Sequence, residues 1–211
     1  MIDETSPKEL KSQRKKPMQS RSSSLVHSIF EAAARILPKA DYEGVTTNQL
    51  ARVAGVSVGS LYQYFANKDE IFALLLEKNL VETKAIVEAT IRNKSTTPLK
   101  ELIAEAVSTV VDLNLDNREF FARLFIQAPR LNRVKRVMES RDQFITLLAE
   151  ILKSKSSEVK QTNLDLAAYV IVHSIMGVIQ TIVIHPPEPT AATAALKREL
   201  DTLCRRLQIL R

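Results

Sequence analysis

The chain has 211 residues, 45% of them hydrophobic and 5% aromatic, with four glycines, one cysteine and a formal net charge of +6. That length supports one or two domains with a real core, and the scarcity of glycine argues against doubly wound sheets and other folds that depend on tight glycine turns. Leu, Ile, Val and Ala mixed with Lys, Arg and Glu suit packed helices. The lone Cys204 has no internal disulfide partner, which fits a reducing, cytoplasmic compartment, and the positive balance permits an anionic partner without establishing one.

Residues 1–20 read as a basic flexible tail without periodicity, in which Lys8, Lys11, Arg14, Lys15 and Lys16, followed by Arg21, are opposed by Glu9. The stretch has no apolar segment of the kind a secretory signal needs. From Ser22 the chain reads as successive helices. Leu25, Ile29, Ala32, Ala33 and Ile36 recur at helical spacing, and Pro38, Asp41 and Gly44 close that helix. A short second helix follows, with Thr46 and Gln49 at capping-box spacing, Thr47 as the other candidate cap, and Leu50, Val53 and Ala54 on its inner face. Gly55 breaks it. A third helix runs from about Val58 to Tyr64, capped by Ser57. A fourth, opened by Asn67 and Glu70, reaches about Arg92.

Farther on, Thr97-Pro98 reads as a cap followed by proline at the first helical position, and Leu102, Ile103, Ala106, Val107, Val110 and Val111 supply that helix's face. Phe120, Phe121, Leu124 and Phe125 mark a short helix ended by Pro129. The spacing from Leu131 to Ile151 predicts another, with Ser140 a candidate kink, and Lys153–Lys160 a polar loop. Leu164–Ile184 is the most apolar stretch. Asp165, His173, Ser174 and Gln180 within it favour a buried helix over a membrane span. After His185-Pro186-Pro187 a last helix is expected over about 190–210, with Leu196, Leu200, Leu203, Leu207 and Leu210 as its apolar stripe. The expected fold is all-α with about nine helices. The helices over 21–67 are expected to form one N-terminal domain, and those over 68–211 a second.

The informative stretch is TTNQLARVAGVSVGSLYQYFANK, residues 46–68. It reads as two short helices joined by a tight turn. Ala51 and Ala54 let the helices cross closely, Gly55 supplies a left-handed turn residue, and Leu50, Val53, Leu61 and Phe65 share one core. Such a unit projects the start of its second helix outward, where it fits the major groove of DNA. Gly59 and Ser60 are small enough for close backbone approach. Tyr62 and Tyr64 carry hydroxyls that reach phosphates, Gln63 can bond base edges, and Lys68 opens the next helix with its charge beside free N–H groups. Ordinary amphipathic surface is the competing reading of the two tyrosines.

These residues resemble the TetR family of transcriptional regulators over about residues 22–82. Thr47, Leu50, Ala51, Ala54, Gly55, Val56, Ser57, Gly59, Leu61, Tyr62, Tyr64, Phe65 and Lys68 match its pattern in order and spacing. Val58 departs from it, standing where the family often has a polar or basic residue, and can touch a thymine methyl instead. Asp41 replaces a frequent glycine. The resemblance implies a three-helix helix-turn-helix DNA-binding domain over 21–67, a helical ligand-binding and dimerisation domain over 68–211, and a ligand-released repressor that binds an inverted-repeat operator on double-stranded DNA as a homodimer. Thr47, Ser57, Tyr62, Tyr64 and Lys68 would contact phosphates, Val58, Gly59, Ser60 and Gln63 would face bases, and Arg21 with the Lys15–Lys16 pair would follow the backbone or enter the minor groove. It also implies a C-terminal domain that dimerises, through the segments 164–184 and 190–210, and that holds an unknown small-molecule effector. Phe121, Phe125, Met138, Phe144, His173 and Met176 are its candidate pocket, with plain core packing the competing reading of each. No cofactor or membrane is expected. The dispersed His27, His173 and His185, and the lack of a phosphate-cradling glycine loop, speak against an enzyme. A helical protein-interaction module and a DNA-binding activator without ligand control are the rival functions.

Overall fold

The computed structural model describes residues 15–92, 96–160, 163–185, 198–200 and 202, with side chains from Ser22 onward. The tail over residues 1–14, the Arg21 side chain, Cys204 and most of the expected last helix lie outside the described residues. Among the described residues there are eight α-helices, further helical residues at 198–200 and 202, and three single-turn 3₁₀ segments, without strands. The chain divides into two compact units at Ile71/Phe72, a few residues beyond the expected boundary.

In the first unit, α1 runs Lys15–Ile36. It therefore begins seven residues before Ser22, taking in residues that read as tail. Pro17 falls in its first turn, where a missing N–H leaves no helical bond unmade. Ile29, Ala32, Ala33 and Ile36 are its buried face. Short 3₁₀ turns at Leu37–Lys39 and Tyr42–Gly44 lead to α2, Thr47–Ala54. Thr46, not Thr47, caps α2, its side chain accepting from the Gln49 N–H at 3.1 Å. Gly55 closes it at φ 70°. The Val56 N–H reaches the Ala51 carbonyl at 3.0 Å and the Gly55 N–H reaches Arg52 at 3.3 Å, the bond pair of a Schellman closure, which favours glycine at the left-handed position. The helix α3 spans Val58–Tyr62, two residues shorter than expected. Its last carbonyls are taken by Gln63, Tyr64 and Phe65 N–H groups in a tightening turn. Leu50, Leu61 and Phe65 are buried as expected, and the Phe65 ring tilts against Phe30 of α1 at 5.9 Å. Val53 is not in that core: it is 41% exposed, because Leu50 and Ala51 centre the buried face of this short helix and Val53 falls on its flank.

The helix α4, Lys68–Arg92, starts in the first unit and continues into the second. Asn67 accepts from the Glu70 N–H at 2.9 Å while Glu70 accepts from the Ala66 N–H at 2.6 Å, a reciprocal cap.

The second unit adds α5 (Leu99–Leu115), α6 (Arg118–Ile126), α7 (Val134–Ser154) and α8 (Leu164–Ile184). The expected Thr97 cap does not form. Pro98 takes the cap position without a side-chain bond, and Glu158, in the 3₁₀ turn Ser156–Glu158, accepts from the Leu99 N–H at 2.7 Å. A carboxylate on a free N-terminal donor is favoured by the helix dipole. Ser140 produces no break in α7, which is one helix with Ser140 buried. Asn132 adopts φ 53° between α6 and α7, a conformation asparagine tolerates. Arg133 and Arg136 then meet Glu77 of α4 at 2.7 and 3.6 Å. The helix α8 packs against α5, α6 and α7 and buries Ala167, Ala168, Ile171, Val172, Ile175, Ile179 and Val183. It is long and apolar enough to cross a membrane by length and composition, but that residue set is spent on its neighbours within the unit.

Candidate nucleic-acid interface and effector cavities

The surface of the first unit that faces outward from α2 and α3 holds most of the expected DNA contacts. Ser57 caps α3, accepting from the Ser60 N–H at 3.0 Å, and the two serine hydroxyls meet at 2.8 Å. Thr47, opening α2, and Tyr62, ending α3, bring their hydroxyls to 2.9 Å. Two helices thereby meet at one point, where one hydroxyl hydrogen closes the pair and the other is left to donate outward. Tyr62 is 52% exposed, and Val58, Gly59, Gln63 and Tyr64 are also exposed.

Gly59 has no internal reason to be glycine. A Cβ built there would meet only the Ser57 Oγ, at an ordinary 3.9 Å, although glycine in a helix is disfavoured against alanine by about 1 kcal/mol. A residue the fold does not require, on an exposed helix, fits a surface that another molecule must approach closely.

Lys68 points elsewhere than its expected role. Its ammonium donates to the carbonyls of Tyr42 and Glu43 at 2.7 and 3.1 Å, lies 4.8 Å from the Tyr42 ring centre and is only 18% exposed. The Tyr42 hydroxyl in turn donates to Asp69 at 2.7 Å. Lys68 thus ties the start of α4 to the turn before α2. The candidate signal was the Tyr42-Glu43-Gly44 turn: a single 3₁₀ turn takes the Tyr42 carbonyl once, from the Val45 N–H at 3.3 Å, and leaves lone pairs for a cation.

In the second unit two cavities share Phe144 and Met176 in their walls. The first, about 590 Å³ with its open mouth, is lined wholly by apolar residues of α4, α5, α7 and α8, among them Val87, Leu102, Val107 and Ile175. The second, about 650 Å³ on the same basis, includes Phe121 and Phe125 together with Asn79, Asn114, Arg141 and Gln180. Four of the six expected pocket residues therefore come together: Phe121, Phe125, Phe144 and Met176. Met138 is instead exposed on α7, and His173 stacks on Tyr169 at 4.2 Å with its Nδ1 3.0 Å from the Tyr169 carbonyl oxygen, in neither cavity wall. Both sit on helix faces turned from the unit's interior, which the apolar character of the residues alone does not reveal. Arg141, which joins Gln180 across α7 and α8, was not singled out from sequence, and Gln180 was noted only as a polar residue of an apolar helix; a charged residue inside an otherwise amphipathic helix carries no sign of which face it takes. Among the described residues no three His, Cys, Asp or Glu side chains cluster as metal ligands.

Two short helices joined at a left-handed glycine, with the second helix's small and polar residues turned outward, define a helix-turn-helix DNA-binding protein. Residues 29–75 match the family model described as bacterial regulatory proteins, tetR family, and residues 98–207, more than half the chain, match the tetracyclin repressor-like C-terminal domain. The chain belongs to the TetR family of transcriptional regulators. It is 44% identical over 57 residues to the HTH-type transcriptional regulator HbdR of Aromatoleum sp. (strain CIB), covering 27% of this chain and 24% of that one. It is 26% identical over 137 residues to the fatty acid metabolism regulator protein of Bacillus subtilis, covering 63% and 70%. A crystal structure from Mesorhizobium loti, described as a TetR-family transcriptional regulator, superposes with a TM-score of 0.74 at 16% identity over 88% of this chain and 96% of that one. The matches to these two curated relatives thus span from a quarter to 70% of the relatives' length.

Proposed function

We propose that the protein is a cytoplasmic repressor that binds a pseudo-palindromic operator as a homodimer and is released by a small molecule held in the second unit. The observation that carries the DNA reading is the hydroxyl pair of Thr47 and Tyr62, 2.9 Å apart and exposed, beside a glycine that the fold does not need. Hydroxyls of this kind bond phosphate oxygens and set the register of the helix on the duplex. Gln63, with Val58, Gly59 and Ser60, then reads base edges. Lys68 ties the start of α4 to the turn before α2; its backbone end, at the start of α4, lies next to the groove-facing helix in sequence.

The homodimer reading is supported by α8. Leu166, Tyr169 and Val170 are exposed on it, and Gly177 continues the same helical stripe, with open space where a Cβ would stand. An exposed apolar stripe interrupted by glycine suits close packing against a second helix. Two such subunits present two recognition helices to half-sites about one helical turn apart. A ligand bound on α4 residues of the second unit, Asn79 and Leu80 among them, acts on the same helix whose first turn completes the DNA-binding unit. It releases the operator only to the extent that it binds the released conformer more tightly.

Selection of bound duplexes from a random pool, followed by anisotropy titration at several salt concentrations, tests the reading. The expected result is an enriched inverted repeat bound at least about 10³-fold more tightly than scrambled DNA. Weak binding that vanishes with salt and shows no enrichment is non-specific attraction and would replace this reading with that of a protein-interaction module.

A further inference from the structure

The two cavities of the second unit differ in a way that specifies the chemistry of their occupant. The first offers a ligand nothing to hydrogen-bond; its lining is aliphatic apart from Phe144 and Met176. Apolar space of this kind weakens the fold through lost packing and stays dry when empty, so its use is to take apolar material. The second begins where the first ends, at Phe144 and Met176, and carries a cation. Arg141 is half-buried there, held by the Gln180 side-chain oxygen. The cations at the start of α7 are ion-paired instead: Arg133 and Arg136 share Glu77, and Arg136 and Lys135 share Glu139. Among the described residues no carboxylate lies within ion-pair distance of Arg141. A half-buried guanidinium held by a neutral amide keeps donors for an anion, and its fork suits a carboxylate or phosphate. Asn79 and Asn114 flank it, each anchored to its own helix through Leu75 and Val110 carbonyls at 2.7 and 2.8 Å, and each retains a second amide hydrogen. The unbranched Met176 side chain at the junction repacks easily around a passing chain.

We propose that the effector is a single-chain amphiphile, with a long hydrocarbon chain in the apolar cavity and an anionic head on Arg141. The assignment rests on the reading of the second unit as the effector-binding unit. A free carboxylate puts the anion at the end of the chain, whereas a coenzyme A thioester is neutral there and carries its phosphates beyond the pantetheine arm; the test separates them.

The test is calorimetric titration of the full-length protein with hexadecanoate, hexadecanoyl-coenzyme A, octanoate and hexadecan-1-ol below their micellar concentrations. Duplex release is followed in parallel by anisotropy. One of the two anionic C16 probes binds at least about tenfold more tightly than the alcohol, and the tighter identifies the head group. Shortening the acid to octanoate weakens binding by about fourfold for each buried methylene lost. Arg141→Gln abolishes the preference for the anion and leaves the alcohol within about twofold, whereas Arg141→Lys keeps part of it. Ala106→Phe, which narrows the apolar cavity, weakens the C16 probes; should it fail to fold, the chain-length dependence tests the same point. Equal affinity for acid and alcohol, or an unchanged preference in Arg141→Gln, overturns the head-group assignment. Absence of binding by every probe, in protein that still binds its selected duplex, overturns the proposal and leaves the regulator reading intact. Probe binding without duplex release leaves the ligand class standing and overturns ligand control, because the calorimetry contains no DNA.

Discussion

The two units achieve order by different means. In the first, the decisive bonds are local: Thr46 to Gln49, Ser57 to Ser60, Asn67 to Glu70, and the Gly55 closure all join residues within five positions. In the second, the decisive bonds are remote. Glu158 caps a helix that begins 59 residues earlier in the chain, and Arg141 meets Gln180 across 39 residues. The difference follows from size and task. Short helices cannot hold themselves and need caps beside their buried contacts, and a surface that reads DNA has to be held in fixed register. Long helices are stabilised by packing, and the cavities between them depend on which side chains the packing brings together. The first unit has remote ties as well, Thr47 to Tyr62 and the bonds of Lys68 and Asp69 to the turn at Tyr42 and Glu43, and each joins the ends of elements that local bonds close.

The largest effect that tests this contrast is expected from Leu61→Ala. Leu61 is wholly buried, and its truncation removes about 2–5 kcal/mol from the first unit. Chemical denaturation should show the loss together with a fall in operator binding. A loss under 1 kcal/mol would mean that the caps, not this core, hold the unit. Lys68→Ala comes next: losing its two carbonyl contacts removes about 1–3 kcal/mol of stability, read as a lower denaturation midpoint. A lower salt slope of DNA binding at unchanged stability would instead return its ammonium to a phosphate.

Gln63→Ala is expected to weaken the selected duplex by about 1–3 kcal/mol and scrambled DNA not at all; equal loss on both would take Gln63 out of the base-reading set. Glu158→Ala uncaps α5 and removes about 0.5–2 kcal/mol. The measurement is hydrogen exchange over Leu99–Ile103, and unchanged protection there would deny the remote cap any energetic role. Smallest is Gly59→Ala, which raises stability by up to about 1 kcal/mol while reducing affinity for DNA. Loss of stability would mean that the fold, not the partner, requires this glycine.

The sequence alone determined the all-helical class, the span of α8 and the caps at Ser57 and Asn67, and it narrowed the cap of α2 to Thr46 or Thr47. Periodicity and capping act over one or two turns and are written in neighbouring residues. It likewise identified the exposed residues of the helix-turn-helix, because in a unit this small a residue's place in the turn nearly fixes its direction. It misplaced Val53, since a period of 3.6 over eight residues leaves the flanks of the buried face undetermined. Tertiary structure alone decided that Lys68 folds back on Tyr42, that Glu158 rather than Thr97 caps α5, and that Met138 and His173 stand outside the cavities that Phe121, Phe125, Phe144 and Met176 enter. Each of these depends on a partner far along the chain, and such meetings are set by how whole helices pack, which no local pattern of residues records.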